Sequence, residues 1–217
     1  MDEAAVREAV VRAGLRLAAG GLVIGTAGNL SVRLGERVVV TPTGAALGTL
    51  DAARLSVVDL DGTHIDGDLA PTSEAPLHLA TYRATGGTAI AHAHAPASIA
   101  AGCVVDVLPP LHYAVLALGG PVRVAAYAPY GSGALAENVC TAMTERTAAL
   151  MRNHGSVAYG STLEEACDRI ELVEWLSSLY LSSAAVREPV ALTDEQLQAT
   201  LAAAVGYGST QPAGRAR

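Results

Sequence analysis

The sequence has 217 residues, a formal net charge of -7 and a pI near 5.3. This length suits one domain with a substantial core. The acidic balance argues against a nucleic-acid partner, because a phosphate backbone requires a basic protein surface. Hydrophobic residues make up 51% of the chain and charged residues 16%. Such a composition predicts either a large internal core or apolar surface that a second subunit covers.

The cysteines and the N-terminus indicate a cytoplasmic protein. Cys103, Cys140 and Cys167 are widely spaced and form no CxxC pair, so we expect reduced thiols rather than disulfides or a thiolate zinc site. The first residues, MDEAAVREAV, are acidic and amphipathic, unlike a signal peptide. The longest uncharged stretch, 84–105, contains glycines, two histidines and a proline. We therefore expect no membrane partner.

Hydrophobic spacing and turn residues predict short helices and strands in chain order. A helix over 3–19 comes first and ends at Gly20-Gly21, and Asp61-Gly62 predicts a hairpin turn. Strands are predicted at 37–41, 55–60, 89–95, 122–126, 148–152 and 156–159. Further helices are predicted from Pro71-Thr72-Ser73-Glu74 to about residue 84, and at 97–103, 133–146, 162–184 and 193–204. The irregular alternation favours α+β layers, with one domain over 1–205 and a flexible tail over 206–217.

Two of the six histidines lie two residues apart, in the segment AIAHAHAP. Side chains at i and i+2 of a strand face the same side, roughly 7 Å apart along the chain, whereas on a helix they diverge by about 200°. Two imidazoles among alanines cannot pack as hydrophobes, and each needs a partner for its ring nitrogens. His92 and His94 are therefore predicted to share one metal ion.

The other histidines have less specific surroundings. His154 ends an apolar strand at Asn-His-Gly, where Gly155 permits a turn that aims the imidazole away from the strand. Together with His92 and His94 it completes a three-histidine set, which suits zinc and leaves one position open. His78 follows Glu74 by one helical turn, and we expect it to make a structural hydrogen bond or one to a metal ligand.

Seven motifs occur in an order and spacing that resemble the class II aldolase/adducin family. They are GTAGNLSVR (25–33), VTPTG (40–44), DG…PTSE…H (61–78), AHAHAP (91–96), LHY (111–113), APYG (128–131) and NHG (153–155). The likeness covers about residues 6–185. It implies an α/β fold of the α+β type, with three α/β/α layers around a largely antiparallel sheet. It also implies a C4 homotetramer with active sites between subunits.

The resemblance implies a zinc-dependent lyase, although another divalent transition metal could bind the same ligands. The zinc ligands map onto His92, His94 and His154, and Glu74 both touches the metal and acts as the base. The implied reaction cleaves a ketose 1-phosphate, such as L-fuculose 1-phosphate, to dihydroxyacetone phosphate and an aldehyde through an enediolate. The residues implied to bind the phosphate and substrate are Thr26, Gly28, Asn29, Thr43, Gly44, Thr72 and Ser73. Glycine loops, hydroxyls and a helix start after Ser73 are suitable donors for a phosphate.

Two tyrosines are implied by the same resemblance. Tyr113 matches a tyrosine that reaches a neighbouring subunit's site and transfers a proton. The C-terminal segment matches poorly, and Tyr207 is a candidate there for a second substrate-binding tyrosine. Thr72 replaces the first serine of the usual Ser-Ser-Glu and keeps the hydroxyl.

Other functions fit parts of the pattern. An L-ribulose-5-phosphate 4-epimerase shares the scaffold and histidines, but its relatives usually have aspartate where this chain has Glu74. A decarboxylase of phosphorylated 3-oxo acids would form the same enediolate. A non-catalytic adducin-like module lacks the metal histidines, and a simple zinc hydrolase leaves the phosphate motifs unexplained.

Overall fold

A computed structural model describes residues 2–208, and side-chain surroundings up to residue 203. Its helices are α1 (Glu3–Ala19), α2 (Ala75–Ala84), α3 (Pro96–Val104), α4 (Gly133–Ala142), α5 (Leu163–Ala184) and α6 (Asp194–Gly208). Its strands are β1 (Asn29–Leu34), β2 (Arg37–Val40), β3 (Ser56–Asp59), β4 (His64–Asp66), β5 (Ala89–Ala93), β6 (Val107–Leu108), β7 (Val122–Ala125), β8 (Ala148–Met151) and β9 (Gly155–Gly160). Short 3-10 helices span Leu47–Thr49, Ala52–Arg54 and Tyr113–Leu118.

The strands form one sheet in the order β4-β3-β2-β1-β5-β9-β8-β7-β6. Within residues 2–208, β7 and β8 are the one parallel pair, and the other neighbours are antiparallel. The predicted α/β fold with a largely antiparallel sheet is therefore confirmed. β5 lies in the middle of the sheet, where Asn29 of β1 is opposite His92 and Val157 of β9 flanks it on the other side.

Helices cover both faces of this sheet, which gives three layers. On one face, called here the α5 face, Val10 of α1 and Ile170 of α5 belong to one core cluster with Ala91 of β5. On the opposite face, called the α2 face, Leu77 of α2 and Val139 of α4 form a second cluster with strand residues. The alternation of side chains along each strand separates these two cores.

The structure differs from the sequence prediction in several elements. β1 was not predicted, because its sequence follows the glycines of GTAGNLSVR and was interpreted as part of a loop. β4 and β6 are also additional; they are three and two residues long and lie at the sheet edges. The helix predicted over 133–146 ends at Ala142, since Glu145 has a φ of 58°, which a right-handed helix does not accept.

The C-terminal helix α6 continues to Gly208, so the first residues of the segment 206–217 are helical. The rest of that segment lies outside the described residues. No helix in the described part of the chain is long and apolar enough to cross a membrane.

Candidate active site

Of the paired histidines, His92 lies on β5 as the sequence predicted, whereas the strand ends at Ala93, one residue before His94. Ala91 and Ala93 are buried in the α5-face core, so His92 points to the α2 face, and His94 follows directly after the strand. The Nε2 atoms of the two imidazoles are 3.0 Å apart. His92 donates its Nδ1 proton to the Ser156 carbonyl oxygen over 2.9 Å, which leaves the Nε2 lone pair directed into the site.

His154 comes to the same place from the turn between β8 and β9. Its ring centroid is 5.0 Å from that of His92 and 4.8 Å from that of His94. Asn153 is the left-handed residue of the turn, with a φ of 55°. Gly155 is required for a different reason, because a Cβ there would lie 2.3 Å from the Ala93 carbonyl oxygen.

Glu74 joins the histidines from the residue that precedes α2. Its Oε2 is 3.1 Å from Nε2 of His92, and its Oε1 is 3.4 Å from Nε2 of His154. Asn29 donates a hydrogen bond to Oε2 over 2.9 Å. The carboxylate is buried, and Oε1 has no hydrogen-bond partner. A buried oxygen without a partner is costly, which indicates a missing ligand or a catalytic role.

The charges at this cluster support the same interpretation. Burial lowers the pKa of His94 to about 4, with His92 and His154 adding to the shift. Burial also lowers the pKa of His154 to about 4, so both rings are neutral at pH 7. Burial alone would raise the pKa of Glu74, but His92, Asn29 and His154 hold it well below its usual range. Burial alone would lower the pKa of His92, but Glu74 raises it.

These four side chains fit a metal ion. One ligand atom from each of Glu74, His92, His94 and His154 lies within 4.8 Å of the others. Three imidazole nitrogens and one carboxylate oxygen are a donor set suited to zinc. Glu74 raises the pKa of His92, so these two side chains share a proton when no metal is bound. A metal ion held by the four side chains would replace that proton.

A cavity of about 460 Å³ opens beside this cluster. It is lined by Glu74, His94 and His154 and by every residue that the sequence implied for phosphate binding: Thr26, Gly28, Asn29, Thr43, Gly44, Thr72 and Ser73. Gly28 has a φ of 85°, and a Cβ there would lie 2.9 Å from the His92 carbonyl oxygen. Only glycine therefore lets this loop approach β5.

Six cavity residues were not singled out from the sequence, and three of them have polar side chains. Tyr127, Tyr130 and Asn153 line the same space, and the two tyrosines are largely exposed. They flank or lie in the APYG and NHG motifs, which were the available signals. His92 and His78 are wholly buried and do not line the cavity.

The structure does not place Tyr113 at the cluster of its own chain. Tyr113 begins a 3-10 helix, is 55% exposed and does not line the cavity. Its ring packs against His112, with centroids 4.2 Å apart, and His112 also contacts Trp175. The side chain of Tyr207 lies outside the described residues.

His78 makes structural hydrogen bonds, as expected, and is not part of the metal cluster. Its Nε2 is 2.5 Å from Oδ1 of Asn29, and its Nδ1 is 2.7 Å from Oγ of Ser31. It therefore contacts Glu74 through Asn29. Burial is the largest cause that lowers the pKa of His78 to about 3.

Comparison with known proteins connects this site to a family. The sequence model described as "Class II Aldolase and Adducin N-terminal domain" matches residues 8–181. The L-fuculose phosphate aldolase of Escherichia coli (strain K12) is 36% identical over 191 residues, covering 87% of this chain and 88% of that protein. The 3-oxo-tetronate 4-phosphate decarboxylase of Haemophilus influenzae is 38% identical over 191 residues, covering 84% and 90%.

A solved structure of L-fuculose 1-phosphate aldolase superimposes with a TM-score of 0.88 at 33% identity, covering 93% of this chain and 96% of the other. The match of sequence and the match of fold extend over the same elements that hold the histidine cluster and the cavity. Aldolases and decarboxylases of this kind are lyases. The chain belongs to the class II aldolase and adducin family, and its relatives place it among the lyases of that family.

Proposed function

We propose that this protein is a zinc-dependent aldolase that cleaves a ketose 1-phosphate to dihydroxyacetone phosphate and an aldehyde. One observation supports this most: a cluster of three histidines and a buried carboxylate adjoins a cavity that is also lined by hydroxyl-bearing loops. Such a cavity suits a substrate with a carbonyl at one end and a phosphate at the other. The similarity to L-fuculose phosphate aldolases supports the same reaction.

His92, His94 and His154 would hold the ion, with Glu74 beside them. Bound zinc would supply Lewis-acid stabilisation of negative charge on the substrate oxygens. In the cleavage direction Glu74 would give a proton to the carbon next to the carbonyl after the carbon–carbon bond has broken, and in the condensation direction it would take that proton from dihydroxyacetone phosphate. A positioned acid–base group of this kind typically contributes about 10²–10⁴-fold to the rate.

The hydroxyl-bearing loops that line the cavity would bind the phosphate. Thr43, Thr72 and Ser73 provide hydroxyl donors, and Ser73 lies just before the N-terminal end of α2, where the helix dipole favours an anion. Binding energy from this remote group would fix the reacting carbon next to Glu74.

We also propose a cytoplasmic homotetramer in which Tyr113 serves the site of an adjacent subunit. Tyr113 is exposed and remote from its own cavity, and the neighbouring Trp175 is 47% exposed. Large aromatic residues exposed together are typical of an interface. The three cysteines are free thiols in the described structure, which agrees with a reducing compartment.

A decarboxylase of phosphorylated 3-oxo acids is the second candidate. The 38% identity to 3-oxo-tetronate 4-phosphate decarboxylase favours it, since loss of carbon dioxide would leave the same enediolate. The 4-epimerase is less favoured, because position 74 is glutamate.

The first experiment follows exchange of the C3 proton of dihydroxyacetone phosphate in deuterium oxide by NMR, with zinc-loaded protein. We expect stereospecific exchange in the native protein and a rate about 10²–10⁴-fold lower in Glu74→Gln. Glu137→Gln, an exposed glutamate on α4, is the matched control and should exchange at the native rate.

Zinc content is measured in all three proteins. Near-normal exchange in Glu74→Gln with zinc bound would remove Glu74 from the mechanism. No exchange in the zinc-loaded native protein would contradict the aldolase proposal, and turnover of a phosphorylated 3-oxo acid or of L-ribulose 5-phosphate would then identify the alternative.

A further inference from the structure

Five buried polar residues form a continuous row that starts at Glu74 and Asn29 beside the cavity and continues through residues that do not line it. Glu74 directly precedes α2, and His78 and Tyr82 follow it at four-residue intervals, so the three lie on one side of the helix. Asn29 and Ser31 lie two residues apart on β1, so both face the same helix. All five residues are at most 5% exposed. Polar groups buried this deeply are retained only if each is hydrogen-bonded.

The row is connected by four hydrogen bonds. Tyr82 OH is 2.6 Å from Oγ of Ser31, and Oγ of Ser31 is 2.7 Å from Nδ1 of His78. Nε2 of His78 is 2.5 Å from Oδ1 of Asn29. Nδ2 of Asn29 is 2.9 Å from Oε2 of Glu74.

The chemistry of these groups fixes the direction of every bond. The Glu74 carboxylate only accepts, so Asn29 must present its amide nitrogen to Glu74 and its oxygen to His78. The amide oxygen also only accepts, so Nε2 of His78 must bear the proton. In the neutral ring Nδ1 then accepts from Ser31.

Ser31 has a single hydroxyl proton, which it donates to His78. The remaining bond must therefore be donated by Tyr82. From Tyr82 to Glu74 every donor points toward the carboxylate. Hydrogen bonds aligned in one direction polarise and strengthen one another.

We propose that Asn29, His78, Ser31 and Tyr82 are positioning residues that hold Oε2 of Glu74 and leave Oε1 for the ion and the substrate proton. This rests on the proposed function, in which Glu74 is the base. Oε1 is the carboxylate oxygen without a hydrogen bond. When the substrate C–H bond breaks, an O–H bond forms at Oε1 and the electron pair passes to the substrate carbonyl oxygen.

The amide of Asn29 cannot relay a proton, so the row orients Glu74 and does not conduct protons to it. Asn29 also lines the cavity, and its second amide hydrogen could still reach a phosphate. A change at Asn29 would therefore mix two effects. His78 does not line the cavity, so changes there test the row alone.

The direction of the row is tested by ¹⁵N NMR of zinc-loaded protein labelled at histidine, with the His78 signals identified by their loss in His78→Gln. We expect a proton on Nε2 of His78 and a bare Nδ1. A proton on Nδ1 would reverse the row and overturn the proposal. This measurement needs no substrate, so it remains decisive even if the aldolase proposal fails.

The positioning role is tested by His78→Leu and His78→Gln in the proton-exchange assay, with zinc content measured in parallel. Loss of a hydrogen-bonded partner behind a ligand typically costs about 10–100-fold, and we expect this loss in kcat for His78→Leu with KM unchanged. Glutamine can donate to Asn29, so His78→Gln should restore most of the rate.

Tyr82→Phe removes one hydroxyl at the end of the row and should lower kcat by less than His78→Leu does. Thr81→Val is the matched control, because Thr81 is a buried neighbour on α2 whose hydroxyl donates to the Leu77 carbonyl oxygen over 2.9 Å and takes no part in the row. If His78→Leu does not fold, Tyr82→Phe against Thr81→Val decides the question.

The two proposals fail in different ways. Absence of exchange in the native protein contradicts the aldolase function. Native-like kcat in folded, zinc-loaded His78→Leu, or equal rates in Tyr82→Phe and native protein, contradicts the positioning role while the function stands.

Discussion

The two faces of β5 differ in kind, although they belong to the same five-residue strand. On the α5 face, alanines pack against apolar residues of α1 and α5. On the α2 face, His92 lies within a buried polar group that extends from the metal cluster to Tyr82. The first face contributes stability through apolar burial. The second contains buried polar groups, whose burial is unfavourable for stability and is expected at a functional site.

Removal of a metal ligand on the α2 face should have the largest effect. We expect His94→Ala to weaken zinc binding by more than the about 10–100-fold that follows loss of a ligand's hydrogen-bonded partner. The metal-free variant should unfold at nearly the same urea concentration as metal-free native protein. Competition with a chromogenic chelator measures the affinity. Unchanged zinc affinity would contradict the assignment of His94.

Truncation of a side chain buried on the α5 face should lower stability and leave zinc binding unchanged. Ile170 is fully buried, and Ile170→Ala should lower the free energy of unfolding by about 2–5 kcal/mol because it leaves a cavity. Below the unfolding transition, zinc stoichiometry should remain one per chain. Urea unfolding followed by circular dichroism, together with metal analysis, checks both parts. A loss of zinc from the folded variant would show that the two faces are not separate.

A side chain at Gly155 would meet both the backbone of β5 and the ring of His92, so its substitution should affect both stability and zinc binding. A Cβ at this position would lie 2.3 Å from the Ala93 carbonyl oxygen and 3.2 Å from Cε1 of His92. We expect Gly155→Ala to lower the free energy of unfolding by about 1–3 kcal/mol, as overpacking does, and also to weaken zinc binding. Gly133→Ala is the control, because no heavy atom lies within 4 Å of its Cβ position. Equal behaviour of the two variants would contradict this explanation.

A smaller effect should appear as a dependence of stability on pH. The folded protein keeps His78 neutral down to a pKa of about 3, whereas in the unfolded chain it takes up a proton near pH 6.5. The unfolded state therefore binds more protons between these values, and stability falls as pH falls through this window. One such group contributes about 1.4 kcal/mol per pH unit.

His78→Gln should remove that contribution. Urea unfolding of the metal-free proteins at pH 7, 6 and 5 gives the slopes, and the other histidines contribute equally to both proteins. Identical slopes would mean that His78 is protonated in the folded state.

The sequence predicted the parts of the site that depend on local pattern. Side chains two residues apart in an extended segment face the same side. The HAHA spacing is therefore sufficient to predict that His92 and His94 lie together. The resemblance supplied Glu74 and the cavity loops. The hydrogen bond from Asn29 to Glu74 joins residues 45 positions apart, and it depends on the β1–β5 register and on how α2 packs. Neither the strand register nor the packing of α2 follows from the spacing of nearby residues, and β1 itself was not predicted.

Because β5 lies in the middle of the sheet, this strand and the loops around the cavity should differ in how readily they accept substitutions. His92 lies on a strand paired on both sides, so a substitution that shifts this strand would disturb both neighbours. The walls of the cavity, in contrast, come largely from loops between elements. A lineage could therefore exchange one phosphorylated substrate for another by altering Thr26, Thr43 or Tyr130 while the histidines and their backbone remain in place.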